Sequence, residues 1–566
     1  MAVDTAPSEP RLRRDIGRVG LLFVSLGSII GSGWLFGALT AATLAGPAAL
    51  VSWVLGGGVM ILLALVHAEL GGMYPVSGGS ARFPHYAFGT LAGFAGGWFT
   101  FLGAVTTAPI EVEAALQYAT NYLPGLTRAA GTTAVLTPRG YAVAAALMLV
   151  FSVVNVLGVR WLAETNTVTV WWKVAIPFLT VAVLLTVSFH ASNLHAGGGF
   201  APYGLKGILV AVTTGGVIFA YQGFEQAIQL GGETRDPRRN IPFAVVGSML
   251  LGVLLYVALE VAFLAALDPA RLTKGWAAVA FSGSGEVFGP FAGLATALGL
   301  GWLAFLLYTD AVISPGGTAL LYVGTSSRIT FAMGRQGFVP RAFGMLSPRG
   351  VPVVAIAFSF LCGMIVFLPF PGWQQLVGFI TSATVLGYAM APPALGALRR
   401  QEPDRPRPYR LPAASVLAPL AFVVASEVVL FTGWAVVWKL AAAVAVGVAL
   451  LALSLSTTPP AERPALDWVH GAWLAPYLVG MVVLSYLGSF DTASPSRVPL
   501  LGLAGPRNLL HSGWDLAAVA VFSLGIYALS VRLRLPDGRV REYVRDLAAE
   551  TEEERAALGD TGLSPG

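Results

Sequence analysis

Long apolar stretches separated by short polar segments run along almost the whole chain. About 20 consecutive apolar residues are enough for a helix to cross the hydrocarbon core of a membrane. By this criterion the sequence predicts fourteen spans, near residues 17–44, 48–71, 87–121, 141–160, 166–189, 207–231, 241–267, 291–325, 351–370, 373–396, 413–434, 436–456, 469–490 and 514–533. The pattern is typical of an all-α polytopic membrane protein.

The composition supports a membrane protein and argues against a soluble or a disulfide-rich one. The chain has 566 residues, of which 56% are hydrophobic and 11% are charged, whereas soluble proteins carry about 25% charged residues. Its single cysteine, Cys362, excludes a disulfide framework and a cysteine-based metal cluster. The hydrophobic composition predicts that a lipid bilayer surrounds the protein. The excess of basic over acidic residues comes from arginine-rich loops, so we predict no nucleic-acid partner.

Arginine is distributed unevenly between alternate loops. If the N-terminus is cytoplasmic, 25 of the 30 arginines lie in cytoplasmic segments, as the positive-inside rule requires. Both termini are then cytoplasmic. In chain order, the predicted units are a cytoplasmic N-terminal segment 1–16, a core of ten spans 17–396, a cytoplasmic linker 397–412, four accessory helices 413–534 and a cytoplasmic tail 535–566.

The first span contains a glycine- and serine-rich stretch at residues 27–33, where a membrane helix should be most regular. Each glycine costs roughly 1 kcal/mol of helix stability relative to alanine. Unwound backbone survives at membrane depth only when it is buried in protein or lines a watery cavity. The stretch therefore predicts either a binding site or a close helix contact through small residues.

A similar stretch, residues 215–225, lies in the middle of the sixth span and includes a glutamine and a glutamate. Transporters often contain two repeats whose corresponding helices are both interrupted. Spans 1–5 and 6–10 would then form the two halves, with the substrate between spans 1 and 6. Glycine-lined packing faces remain the alternative explanation.

Several motifs near these breaks occur together and in a fixed order. They are Ile30-Gly31-Ser32-Gly33, Glu69-Leu70 with residues 74–79, residues 219–225, residues 233–242 and residues 326–340. In this set the chain resembles the amino acid–polyamine–organocation (APC) superfamily. The Pro109-Ile110-Glu111-Val112-Glu113 segment and the two spans beyond twelve resemble its bacterial aspartate:proton symporter branch.

The resemblance implies a LeuT-like fold, in which a 5+5 inverted repeat has broken helices 1 and 6. It also implies a permease of a bacterial-type cytoplasmic membrane that imports amino acids by alternating access. We expect proton symport without a further cofactor, and a monomer or weak homodimer. An exchanger, another solute or cation carrier, or a non-transporting amino-acid sensor would share the same spans. An enzyme is not expected, because the sequence has no nucleophile–base or metal constellation.

The resemblance and the chemistry of amino acids together predict the substrate site. N–H groups at a half-helix N-terminus favour a carboxylate, and Gly31, Ser32 and Gly33 leave that backbone accessible. The carbonyls of Ile30 and residues 219–221 would accept from the ammonium. The predicted substrate-binding residues of the sixth span are Phe219, Ala220, Tyr221 and Gly223. Phe219 is predicted to close over the substrate, with core packing as the alternative.

Four charged residues within spans are candidates for proton coupling: Lys173, Glu111, Glu113 and Glu225. Burial disfavours the charged form of a lysine, so Lys173 could gain and lose the coupling proton; a lysine that reaches the membrane surface is the alternative. Glu111 and Glu113 point apart on a helix, so one of them could face the cavity. Glu225 could also link the broken helix to its neighbours.

Other polar residues are harder to assign. Glu69 lies near a helix end, where capping or gating is expected. Glu260 and Glu427 are expected to be interfacial or structural, and no role is predicted for Asp310. The resemblance to the aspartate:proton symporter branch favours aspartate or glutamate as substrate, and such an acidic substrate needs a donor for its second carboxylate. Intramembrane cations are few (Lys173, Lys439 and His67). Backbone N–H groups, Tyr221 or Gln222 could serve instead.

Overall fold

A computed structural model describes residues 16–75, 79–131, 133–157, 161–231, 234–281, 288–347, 350–490, 507–511 and 513–545. Within these ranges, eleven helical runs are long and apolar enough to cross a membrane. Shorter apolar helices are Arg18–Ile29, Gly204–Ala220 and Val353–Val366. One run, Gly33–Met73, contains the end of the first predicted span and all of the second. Together these helices account for the fourteen predicted spans.

The helices follow one another in chain order. They are α1 Arg18–Ile29, α2 Gly33–Ala45, α3 Ala49–Met73, α4 Gly79–Phe88, α5 Thr90–Ala119, α6 Pro138–Leu157, α7 Trp161–Val187, α8 Gly204–Thr213, α9 Val217–Ala220, α10 Gln226–Gln229, α11 Pro237–Ala266, α12 Pro290–Ala297, α13 Gly301–Arg335, α14 Val353–Val366, α15 Trp373–Tyr388, α16 Ala391–Gln401, α17 Ala414–Phe431, α18 Trp434–Thr457, α19 Trp468–Gly471, α20 Leu474–Leu487 and α21 Trp514–Arg532.

Short elements lie between these helices. The 3₁₀ helices in the described ranges are Gly46–Ala48, Ala191–Leu194, Pro269–Leu272, Trp276–Ala278, Arg341–Gly344 and Pro460–Glu462. An antiparallel hairpin, β1 Thr127–Ala130 and β2 Thr133–Leu136, connects α5 to α6, with Thr127 opposite Leu136. The sequence did not predict this hairpin, which is a small addition to the all-α architecture.

The eighth predicted span, 291–325, has wrong boundaries. The short helix α12 ends at Ala297, and the long helix α13 begins at Gly301 and continues to Arg335. Between them Gly299 has a φ of 73°, a left-handed conformation that glycine adopts without the penalty of a Cβ atom. Hydropathy does not register this turn, because the residues on both sides of it are apolar.

Corresponding helices of the two predicted halves pack against each other. The second span, α3, contacts the seventh, α11; the third, α5, contacts the eighth, α13; and the fourth, α6, contacts the ninth, α14. Such pairing is what two repeats related by a twofold axis produce. The packing and the interruptions in the first and sixth spans together support the 5+5 arrangement.

The last four predicted spans pack beside this core. α17 contacts α3, α15 and α16, while α18 contacts α5 and α15. α20 and α21 contact α17 and each other. The predicted linker starts at residue 397, but this residue lies within α16, which continues to Gln401. The N-terminal residues 1–15 and tail residues 546–566 lie outside the described residues.

Candidate substrate site at the helix breaks

The first span is interrupted between α1 and α2. α1 ends at Ile29 and α2 begins at Gly33. The Gly31 N–H donates to the Ile29 carbonyl at 3.1 Å, whereas in a regular helix it would donate to Gly27 four residues earlier. The break therefore frees backbone groups in the middle of the span, where the glycines and serines predicted it.

Side chains from three other helices bind the carbonyls near this break. Lys173 donates to Gly27, Tyr256 to Ile29 and Ser314 to Ile30, at 3.2, 2.8 and 3.3 Å. These contacts satisfy groups that would be costly to leave unpaired at membrane depth. The Ile30 carbonyl was predicted to accept from the substrate ammonium. It has a second lone pair, so this role stays a prediction.

The N-terminus of α2 binds a carboxylate, and that carboxylate belongs to the protein. The Ser32 N–H donates to both oxygens of Glu111, at 3.2 and 2.9 Å. Gly31 leaves room for it, since a Cβ there would lie 2.6 Å from Glu111 Oε1. The Ser32 hydroxyl accepts from the Trp373 indole at 2.9 Å. A side chain of α5 thus occupies the place predicted for the substrate carboxylate.

The small-residue packing that competed with binding is present at Gly33. A Cβ at this position would lie 2.7 Å from Ala220 Cα and 2.8 Å from Ala220 Cβ. The first and sixth spans therefore cross here at a distance that only glycine permits. Packing and a binding role are compatible, because Gly33 packs against Ala220 and also lines the cavity between the two breaks.

The sixth span is interrupted twice, after α8 and between α9 and α10. Gly216 and Gly223 have φ values of 86° and 124°, which favour glycine. A Cβ on Gly223 would lie 2.8 Å from Ile29 N and from Ser28 C. The second break therefore packs directly against the first.

A cavity lies between the two breaks, and five of the predicted site residues line its walls. Its lining consists of Ser28, Ile29, Gly31, Gly33, Thr107, Glu111, Phe219, Ala220, Gln222, Thr318 and Tyr322. A second cavity adjoins it, because Thr107, Gln222 and Tyr322 line both. The second cavity extends towards α15 and includes Glu225 and Tyr388.

Phe219 and Tyr221 lie in different surroundings. Phe219 lines the cavity and contacts the Trp373 ring edge-to-face, with centroids 5.8 Å apart. The Tyr221 hydroxyl donates to the Trp53 carbonyl at 3.1 Å, and its ring packs against Tyr256. The Tyr221 side chain is therefore directed towards α3, which leaves only its backbone as a candidate substrate contact.

Lys173 is buried between helices. Its side chain is 3% exposed, and its ammonium donates to Gly27 O and, at 2.7 Å, to Thr318 Oγ1. A lysine that reaches the membrane surface is excluded by this burial. Lys173 instead connects α7 to the end of α1 and to α13.

Asp310, which the sequence could not place, is fully buried on α13. It interacts electrostatically with Lys173, and the indoles of Trp34 and Trp172 face it. Lys173 also interacts electrostatically with Glu111. The break region thus contains one buried cation and two buried carboxyl groups.

Glu111 and Glu113 point to different sides of α5, as their spacing predicted. Glu111 faces the cavity between the breaks. Glu113 is 2% exposed, lacks a hydrogen-bond partner for either oxygen among the described residues, and interacts electrostatically with Tyr141 on α6. Glu111 is therefore the glutamate of this pair that can meet a substrate.

Glu225 joins the sixth span to two other helices. Its carboxylate accepts from Gly223 N at 3.0 Å, from the Tyr388 hydroxyl at 2.6 Å and from the Tyr322 hydroxyl at 3.4 Å. Gln222, on the same turn, is 8% exposed, and its Nε2 has no hydrogen-bond partner in the described part of the chain. Gln222 is consequently a free donor beside the cavity.

Two of the remaining acids have structural contacts. Glu69 is fully buried at the end of α3, where it binds Arg399, Arg407 and the backbone of Leu411. Glu260 accepts from the Trp53 indole at 2.9 Å. The sequence alone did not indicate the following site residues: Tyr256, Ser314, Thr318, Tyr322, Trp373 and Tyr388. Their only local signal is a polar atom within an apolar span.

A cavity between two broken helices, within a core of paired repeats, is the architecture of membrane transport proteins. The chain belongs to the amino acid permease family, whose model matches residues 16–451. The predicted membership of the APC superfamily is thereby confirmed.

Several relatives of the chain carry the names of amino-acid transporters. It is 35% identical over 544 residues to the glutamate/serine transporter AimA of Bacillus subtilis, covering 95% of this chain and 96% of the relative. It is 34% identical over 523 residues to the aspartate-proton symporter of the same organism, covering 92% and 96%. The mouse Asc-type amino acid transporter 1 is 28% identical over 433 residues, covering 73% and 75%. An integral membrane permease for amino acids is therefore the established class.

Proposed function

We propose that this protein imports amino acids by proton symport, with glutamate and aspartate as its main substrates. The observation that carries the proposal is the α2 N-terminus, where the Ser32 N–H binds a carboxylate. A backbone site of this kind recognises the group that all amino acids share. The substrate carboxylate would take this position in the loaded transporter.

The choice of acidic substrates rests on the relatives and on one side chain. The two bacterial relatives described above are named for glutamate, serine and aspartate. Gln222 offers a buried Nε2 donor without a partner among the described residues, at the boundary of the two cavities. A side-chain carboxylate or hydroxyl of the substrate would accept from it, since an unpaired buried donor is costly.

The proton is the proposed coupling ion, and no other cofactor is proposed. Lys173 and Glu111 supply a cation and a carboxyl group in one buried region next to the first break. Such a pair can exchange a proton with the site as the substrate enters or leaves. Glu225 and Glu113 are further candidates, one on the sixth span beside the second cavity and one on the opposite side of α5 from Glu111.

Transport assays in proteoliposomes test the proposal. We expect labelled glutamate or aspartate to accumulate under an imposed inward proton gradient and to leave when a protonophore removes it. Accumulation driven only by sodium, or uptake only into vesicles preloaded with amino acid, would contradict proton symport. Binding of amino acids without any uptake would identify a sensor.

The orientation is also proposed, from the arginine distribution: both termini cytoplasmic, in a bacterial-type cytoplasmic membrane. A protease added to the outer face of intact spheroplasts should leave tags at both termini uncut. Cleavage of either tag would contradict the orientation. Size measurement in detergent tests the expected monomer or weak dimer.

A further inference from the structure

Glu111 has an unusual position for a glutamate in the middle of a membrane helix. It is 1% exposed, and both of its oxygens lie within 3.2 Å of the Ser32 backbone N. α2 has 13 residues, so its dipole favours an anion at this end. The same N-terminus lines the cavity beside Gln222, whose Nε2 has no hydrogen-bond partner among the residues that the structure describes.

The groups that face Glu111 come from several helices. Lys173 on α7 and Asp310 on α13 interact with it electrostatically, as does Tyr256 on α11, and Ser32 on α2 provides the hydrogen bond. Within the described ranges, Lys173 is the one cation that interacts with Glu111, and it interacts with Asp310 as well. A second carboxylate at the α2 N-terminus would therefore meet an anion that the surroundings do not neutralise.

The electrostatic cost of placing two carboxylates together determines whether the substrate binds to the ionised or to the neutral form of Glu111. Two like charges 4 Å apart repel by about 4 kcal/mol at an effective dielectric constant of 20. Every 1.4 kcal/mol changes affinity tenfold. A substrate that approached an ionised Glu111 would thus bind several hundredfold more weakly than one that approached a neutral Glu111.

We propose that Glu111 is an internal competitor of the substrate carboxylate and is released by protonation. This inference rests on the proposed function. The carboxylate of Glu111 accepts one proton and forms an O–H bond, loses its hydrogen bond from Ser32, and the substrate carboxylate takes that N–H. The site exchanges one anion for another, so one proton from the surrounding solution enters with each substrate molecule that binds. Glu111 is the residue through which substrate binding takes up the proton.

Binding measured across pH tests this assignment. The purified protein is titrated with glutamate, aspartate and serine from pH 5 to 9. For the unmodified protein we expect the affinity to fall by up to tenfold per pH unit where Glu111 ionises. Glu111→Gln keeps the shape but carries no charge, so its affinity should be independent of pH and at least tenfold tighter at the alkaline end.

The matched control is Glu260→Gln, which neutralises a fully buried carboxyl group that binds Trp53 outside both cavities. Its pH profile should match that of the unmodified protein. A pH-dependent Glu111→Gln variant, or a pH-independent unmodified protein, would overturn the inference while leaving amino-acid transport intact. If none of the three amino acids binds the unmodified protein, the proposed substrate class fails instead.

Infrared difference spectra keep the test valid even if Glu111→Gln does not fold. Addition of substrate to the unmodified protein at alkaline pH should produce the C=O band of a newly protonated carboxyl group. Proton uptake without that band would assign the proton to a group other than a carboxyl and overturn the inference. No proton uptake at all would overturn it equally.

Discussion

Glu69 holds a helix end and a loop together. Its Oε1 accepts from Arg399 Nε at 2.8 Å and lies 3.4 Å from Arg407 Nε. Its Oε2 accepts from Arg399 Nη2 at 2.5 Å and from Leu411 N at 2.7 Å. The glutamate side chain is fully buried, while those of Arg399 and Arg407 are 22% and 9% exposed. We predict that Glu69→Gln releases the segment that contains Leu411.

The expected magnitude follows from these contacts. Removing one partner of a buried ion pair costs about 3–5 kcal/mol, because the other charge is left unpaired. The lower value applies here, since the glutamine oxygen can still accept from Leu411 N. At 1.4 kcal/mol per factor of ten, the open form of the segment should become roughly a hundredfold more populated.

Cysteine labelling measures this population. Cys362 is the single cysteine, so a Cys362→Ser background with Leu411→Cys carries one thiol, at a side chain that is 1% exposed. The backbone contacts of residue 411 do not depend on its side chain. In membranes, the maleimide labelling rate of Glu69→Gln should rise roughly a hundredfold over the background.

The matched control is Glu462→Gln, which removes the charge of Glu462 from its ion pair with Arg341. The side chain of Glu462 is 52% exposed and that of Arg341 is 59% exposed. Exposed pairs contribute about 0–1 kcal/mol, so labelling should change by less than about fivefold. Equal labelling rates for Glu69→Gln and Glu462→Gln would refute the idea that Glu69 fastens this segment.

Three further predictions concern the site. Lys173→Met removes the donor to Gly27 O and should abolish gradient-driven accumulation while exchange between preloaded vesicles persists; unchanged accumulation would refute a coupling role. Gly33→Ala adds a Cβ 2.7 Å from Ala220 Cα, and overpacking of about 1–3 kcal/mol should lower substrate affinity in equilibrium binding, whereas near-normal affinity would place the substrate elsewhere. Gln222→Leu should weaken glutamate about tenfold or more in a competition series but leave alanine unaffected; equal losses would contradict a side-chain contact.

The sequence determined where the chain crosses the membrane and where the crossings break. Spans depend on the hydropathy of about 20 neighbouring residues, and the breaks depend on glycines within a few positions. Both signals are local, so the interruptions around Gly31 and Gly216 could be predicted. The start of the eighth span could not, because Gly299 makes a turn within residues that are apolar on both sides.

Tertiary structure decided which groups meet at the breaks. The Ser32 N–H was predicted to bind a carboxylate, but only packing of α5 against α2 shows that Glu111 supplies it from 79 residues away. Glu69 and Arg399 are separated by 330 positions and Ser32 and Trp373 by 341. Hydropathy and helix propensity contain no information on the rotation of one helix about its axis relative to another. The sequence therefore determined the spans and their breaks, and the fold decided that an internal carboxylate occupies the site.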